Sequence, residues 1–256
     1  MSSDHESSVS KYLKGFLDRS ENSVSREVLL AHRVTYEFKI GSALSGFDLR
    51  AYRPDVDRDG FDLLIEQRSL ARVIQLKTVG RRAKTVRWKV KSHLLHPSTR
   101  RSGRLKFSLP ALGLGDGLDG ALLVVDFEVE RESINIGYRL FDLAVAAAHT
   151  LRITGVSEQK AEEASALLWR LRKAEGHGAV IIPAWMLIRL PTAESVLSVL
   201  GMRTRYAGGF WYEALLAYAK ENHGDYGSEE RSVAELCAKA RRDLQELQSG
   251  SPVEAV

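Results

Sequence analysis

Gly60-Phe61-Asp62-Leu63-Leu64-Ile65-Glu66, followed after a short break by Arg72-Val73-Ile74-Gln75-Leu76-Lys77-Thr78, decides how this chain is read. Both runs are strand-like, and each carries polar groups where a strand core is expected to be apolar. Successive side chains of a strand point to opposite faces, so Gln75 and Lys77 share one face while Ile74 and Leu76 take the other. Asp62 opens the neighbouring strand, close enough in a hairpin for its carboxylate to meet them. A carboxylate, an amide and an ammonium gathered in a half-buried place are costly unless they satisfy one another or bind something.

Working outward, Phe47–Tyr52 is a third strand-like run, and the three suggest an antiparallel meander broken by the turn-rich Pro54–Gly60. Before them a helix is predicted from Ser23 to about Leu44, with Leu30, Val34, Phe38 and Gly41 on one face. Glu27 and Glu37 fall within the same arc, which is unexpected for a face that packs on a sheet. Downstream, Gly120–Phe127 is a continuous apolar run suited to a strand buried on both faces, and Ile134–Phe141 alternates as its neighbour. The sheet should have about five strands. Beyond Thr150 the pattern turns helical at Glu158–Ala174, Thr192–Leu200, Trp211–Lys220 and Glu229–Gln248, with Ser157 and Thr192 as N-caps of the first two.

The segment order resembles the PD-(D/E)XK nucleases, the restriction-endonuclease-like superfamily. The resemblance rests on a helix bearing a glutamate, the Gly60-Phe61-Asp62 strand start and the Gln75-Leu76-Lys77 triplet, and it covers roughly residues 24–142. It implies an α/β core, a mixed sheet with a flanking N-terminal helix, and a metal-dependent endonuclease that hydrolyses phosphodiester bonds in DNA with Mg2+ or Mn2+. By this resemblance Asp62 is the principal metal ligand, Gln75 contributes an amide oxygen or holds a ligating water, and Lys77 orients the attacking water. Glu37, or failing that Glu27, completes the set. Oxygen donors suit a hard cation. Gln75 departs from the family's usual Asp or Glu; some members do carry Gln there. Asp62 is preferred to Asp55 as the family's aspartate, because Asp55 sits among Asp57, Asp59 and Gly60 in a turn.

Charge patterning supports a nucleic-acid partner. The chain has 256 residues, 44% hydrophobic and 27% charged, with 37 Lys plus Arg against 33 Asp plus Glu and a net charge of +4. That is ordinary globular composition, which excludes a disordered or fibrous chain. From Lys77 to Lys106, however, there are eleven basic residues and no acid, leaving 26 basic against 33 acidic side chains, or −7, elsewhere. Arg81, Arg82, Lys84, Arg87, Lys89, Lys91, Arg100, Arg101 and Arg104 are therefore expected to grip a phosphate backbone, DNA ahead of RNA. The rival reading is a nuclease-fold module that binds nucleic acid or a protein without cutting.

Four segments are expected: a polar 1–23, a nuclease-like 24–150, a mainly helical 151–248 packed on it or forming a homodimer contact, and a tail at 249–256. A lone Cys237 in a helical context excludes an internal disulfide and a zinc site. His93 and His96 are expected at the surface, Gly113–Gly117 as a connecting turn, and Trp169, Trp185, Phe210, Trp211 and Tyr212 as core or subunit contacts. Neither a secretory signal nor a membrane span is evident, so the chain is expected in the cytoplasm.

Overall fold

A computed structural model describes residues 8–54, 60–68, 70–80, 83–96, 118, 120–130, 133–173, 178–206, 209–223 and 230–250. Asp55, Arg81, Arg82, Arg100, Arg101, Arg104 and Gly113–Gly117 lie outside them. The chain is α/β. Its helices are α1 (Ser8–Asp18), α2 (Ser23–Leu44), α3 (Ser92–Leu95), α4 (Leu143–Thr150), α5 (Glu158–Lys173), α6 (Ala193–Val199), α7 (Phe210–His223) and α8 (Val233–Ser249). Its strands are β1 (Arg50–Tyr52), β2 (Leu63–Gln67), β3 (Leu70–Gly80), β4 (Arg87–Lys91), β5 (Ala121–Glu130), β6 (Ser133–Phe141), β7 (Ala179–Pro183) and β8 (Ile188–Leu190). Among the described residues no helix is long and apolar enough to cross a membrane.

One mixed sheet runs β1-β2-β3-β5-β6-β8, and β4 pairs with β7 in a second, two-stranded sheet. Only β3 and β5 are parallel, which obliges the chain between them to cross back over the sheet; β4 and α3 lie on that crossover. The main sheet thus has six strands where five are expected. The extra one, β8, and its neighbour β7 arise in the region read as mainly helical. β8 is three residues long and β7 does not alternate cleanly in burial, so neither announces itself by period.

The apolar run of β5 is buried from Ala121 to Val125, as a central strand covered on both faces requires. The registers of β3, β5 and β6 fix what each face carries. Ile74, Leu76, Thr78, Val125 and Tyr138 point one way, and Gln75, Lys77, Val124 and Arg139 the other.

Helix α2 covers the first face. Leu30, Val34 and Phe38 are fully buried on its inner stripe, each contributing about 1.5–3 kcal/mol by leaving water, and the Phe38 ring lies 6.3 Å from that of Tyr138. The end of α2 is pinned to α6. A Cβ on Gly41 would lie 3.3 Å from the Glu194 amide nitrogen, and the Glu194 carboxylate accepts from the Ser45 hydroxyl at 2.8 Å and from Arg205. Burial alone would raise the Glu194 carboxyl, but these hydrogen bonds hold it below the usual carboxylate range.

Beneath α6 and α7, on the same face, lies a buried ion pair. Arg72 is 1% exposed and Asp142 fully buried, with a nitrogen–oxygen distance of 3.7 Å. Arg72 Nε also donates to the Leu200 carbonyl at 2.8 Å, and its guanidinium stacks 4.9 Å from the centre of Trp211. Asp142 caps α4 by accepting from the Val145 amide at 2.9 Å. One hydrophobic core runs through residues of both the 24–150 and the 151–248 segments.

Candidate functional site

The second face carries the residues the sequence singles out. β2 and β3 pair as far as Leu63 opposite Ile74, so Asp62 comes next, opposite Gln75. Its amide donates to the Ile74 carbonyl at 2.9 Å, and its Oδ2 accepts from the Leu76 amide at 2.7 Å. The carboxylate therefore takes over a ladder position at the point where β2 leaves β3. This locks its orientation beside Gln75 and Lys77, which follow on the same face. All three are half-buried.

Gln75 Oε1 is buried and has no hydrogen-bond partner among the described residues. A buried amide oxygen left in that state costs about 1–3 kcal/mol, and a cation or a bound water would satisfy it. None of the ion pairs among the described residues involves Lys77, and its ammonium brings a positive charge to the face. Lys91, at the end of β4, reaches the same neighbourhood from the second sheet. Gly60 adopts φ +78°, and a Cβ built on it would meet Lys91 Cδ at 2.6 Å and Nζ at 3.0 Å. Only glycine tolerates both that backbone and that approach, so Gly60 lets Lys91 reach the strand start that holds Asp62.

The helix glutamates are not brought to this place. Glu37 accepts from Arg33 Nε at 2.7 Å and from the Tyr138 hydroxyl at 2.5 Å. Tyr138 points to the α2-covered face, opposite the one bearing Gln75 and Lys77. Burial, reinforced by the hydrogen bond to Glu37, pushes the Tyr138 hydroxyl well above the ordinary phenol range. Glu27 is exposed on α2. Among the described residues no three His, Cys, Asp or Glu side chains gather closely enough to hold a metal. Glu37→Gln keeps the acceptor for Tyr138, so any cleavage at Asp62 should change by less than about twofold. A loss as large as that of an Asp62 variant would put the helix back in the site.

Asp126 is a charged group that the apolar run concealed. It lies on the Gln75 face and is held bidentate by Arg139, with Arg139 Nε donating at 2.7 Å. The Arg139 guanidinium in turn stacks 5.1 Å from the centre of Trp88 on β4. Asp126, Glu128, Arg139 and Arg189 line a cavity of about 500 Å3. The signal was an acid closing an otherwise unbroken hydrophobic run.

Of the basic block, Lys84, Arg87 and Lys89 are exposed, whereas the neighbouring Trp88 and Val90 are buried. β4 thus turns its cations outward and its apolar side chains onto the sheet. His96 is 8% exposed rather than at the surface; burial, with His93 beside it, keeps its imidazole below the ordinary histidine range. It is covered because α3 lies against the sheet, its Leu94 carbonyl accepting from the Gly120 amide at 2.6 Å. Cys237 is half-buried on α8, and burial pushes its thiol up. No protein-family model, curated protein or solved structure matches this chain.

Proposed function

We propose that this chain is a metal-dependent endonuclease with a restriction-endonuclease-like core, hydrolysing phosphodiester bonds in DNA at Asp62, Gln75 and Lys77. The observation that carries this reading is the Asp62 carboxylate fixed by the Leu76 amide at 2.7 Å beside the orphaned Gln75 oxygen and Lys77. One carboxylate and one amide oxygen suit Mg2+, which commonly binds through one or two protein oxygens and completes its shell with water and substrate phosphate. Asp62 and Gln75 would hold the ion. Once bound, such an ion lowers the pKa of a coordinated water and offsets charge developing on the phosphoryl oxygens.

The chain's own groups do the rest. The Leu76 amide keeps the Asp62 carboxylate from rotating away, and half-burial limits competition from water. Lys77 and Lys91 supply hydrogen-bond donors and positive charge for the scissile phosphate. The exposed cations of β4 lie beside this place in sequence and extend the grip along the backbone. Neutralising Arg81, Arg82 and Lys84 should flatten the salt dependence of DNA affinity, by about 0.9 in log–log slope for each phosphate that is no longer neutralised. An unchanged slope would place that segment away from the DNA.

The test is cleavage of supercoiled and single-stranded DNA with Mg2+ or Mn2+, by wild type and by Asp62 and Lys77 variants. Cutting that disappears in the variants supports the reading; no cutting with either metal, or equal cutting by the variants, defeats it. A second reading, a module that binds nucleic acid without cutting, is favoured by one observation: Glu37 is committed to Arg33 and Tyr138 on the other face. Retained binding without cutting would select it.

A further inference from the structure

Aromatic side chains that play no part at Asp62 gather at the opposite end of β2, where Phe47, following α2, meets the loop between α6 and α7. A cavity of about 350 Å3 is lined there by Phe47, Met202, Arg203, Tyr206, Trp211 and Tyr212, with small residues between them. That volume lies within the range of small-molecule sites. Tyr206 is 5% exposed and Phe47, Trp211 and Tyr212 are half-buried, so the cavity's aromatic wall is well packed.

Hydrogen bonds hold residues 203–205 of that loop. Buried Gln67, closing β2, takes the Arg203 amide on its Oε1 at 2.6 Å and donates to the Arg203 carbonyl at 3.0 Å. Two residues on, the Arg205 amide donates to Glu194 at 2.9 Å. With its backbone clamped, Arg203 places its guanidinium 6.0 Å from the centre of the Phe47 ring, and Arg68 places a second one 5.3 Å from it. Arg68 does so from a left-handed backbone, φ 56°, a conformation uncommon for a residue other than glycine. Arg203 lines the cavity, whereas Arg68 lies with Asp48 and Glu66 on a neighbouring one; Arg203 takes part in no ion pair among the described residues, and no described carboxylate lines its cavity.

An aromatic wall beside an arginine with no ion-pair partner among the described residues calls for a ligand with a flat ring and a negative charge on the same unit. A fatty acyl chain would leave the cation without a role, and an acidic peptide carries its carboxylates and any aromatic ring on different residues. We propose that this cavity receives one unpaired nucleotide of a nucleic-acid strand, its base against the aromatic wall and its phosphate on Arg203. The inference rests on the nucleic-acid reading above and extends it to a strand-recognising subsite at the end of β2 away from Asp62, on the face of the sheet that α6 and α7 cover.

The test is binding, in EDTA so that no cutting intervenes, of a labelled short thymidine oligonucleotide, an abasic strand of equal length and a blunt duplex. Wild type should bind the thymidine strand at least about tenfold tighter than the abasic one, since each stacked base adds that order of affinity. Phe47→Leu keeps apolar bulk but removes the ring face, and Arg203→Gln keeps the loop's backbone bonds. Each should weaken thymidine-strand binding by roughly 5- to 100-fold and alter duplex affinity by less than about twofold. Equal binding of the abasic strand, or unaltered strand binding by Phe47→Leu, overturns the inference. So does thymidine monophosphate competing as strongly as the oligonucleotide, which would make this a free-nucleotide site. If wild type binds neither strand nor duplex, the nucleic-acid reading itself fails; duplex binding without preference for bases defeats the subsite alone.

Discussion

Asp62→Asn is expected to lower Mg2+-dependent cleavage by about 10²–10³-fold, the loss typical when one preorganised electrostatic group is removed from a transition state, while thermal stability stays close to wild type. The amide keeps an acceptor oxygen for the Leu76 amide, now met by Asp62 Oδ2 at 2.7 Å, and removes only the charge. Asp62→Ala removes both. It leaves the Leu76 N–H without its acceptor at a cost of about 1–3 kcal/mol and so should also lower the melting temperature by roughly 2–10 °C. The pair separates the chemical role of the carboxylate from its role in ending the hairpin. Lys77→Met should match Asp62→Asn in lost cleavage, because Lys77 shares the face and none of the described ion pairs uses its charge. Cleavage by Asp62→Asn at the wild-type rate would remove the site from consideration.

Breaking the Arg72–Asp142 pair should produce a large loss of stability. Each side chain is almost wholly excluded from water, and an ion stranded by removal of its partner costs about 3–5 kcal/mol. Arg72→Met takes from the buried Asp142 carboxylate its cationic partner and also releases the Leu200 carbonyl now bonded at 2.8 Å. At roughly 2–4 °C per kcal/mol for a chain of this size, the melting temperature should fall by about 6–20 °C. Combining it with Asp142→Asn should recover much of the loss. The asparagine has no charge to strand and still caps α4 at the Val145 amide. The measurement is a double-mutant cycle by thermal or denaturant unfolding. Additive losses would mean that the pair is not coupled and that Arg72 acts through its other contacts, Trp211 and Leu200 among them.

Much of the architecture was legible because it follows from local period. Helix α2 spans Ser23–Leu44 with Leu30, Val34, Phe38 and Gly41 inward, as a 3.6-residue stripe dictates. The β1–β2–β3 meander is antiparallel, and β5 is the buried central strand. Thr192 caps α6. What the pattern could not carry were elements too short to show a period. The three residues of β8 join the sheet because β6 is already there to pair with them, and β7 does the same for β4.

The candidate site divides along the same line. Sequence by itself determined that Gln75 and Lys77 share a face and that Asp62 opens the paired strand, since a two-residue period and a hairpin leave no other arrangement. It also determined that Glu37 lies near the sheet-facing stripe of its helix. Only the tertiary structure decided which side of the sheet that helix covers, and the answer puts Glu37 on Tyr138, across the sheet from Gln75. A helical stripe specifies that a face must be buried but not against which face of the sheet, because both are apolar at β5. That choice depends on how the chain between β3 and β5 crosses over. In the same way nothing local marks Arg72 as buried: it is an ordinary strand arginine until α6 and α7 close over it, so its partner is set by packing between residues far apart in the chain.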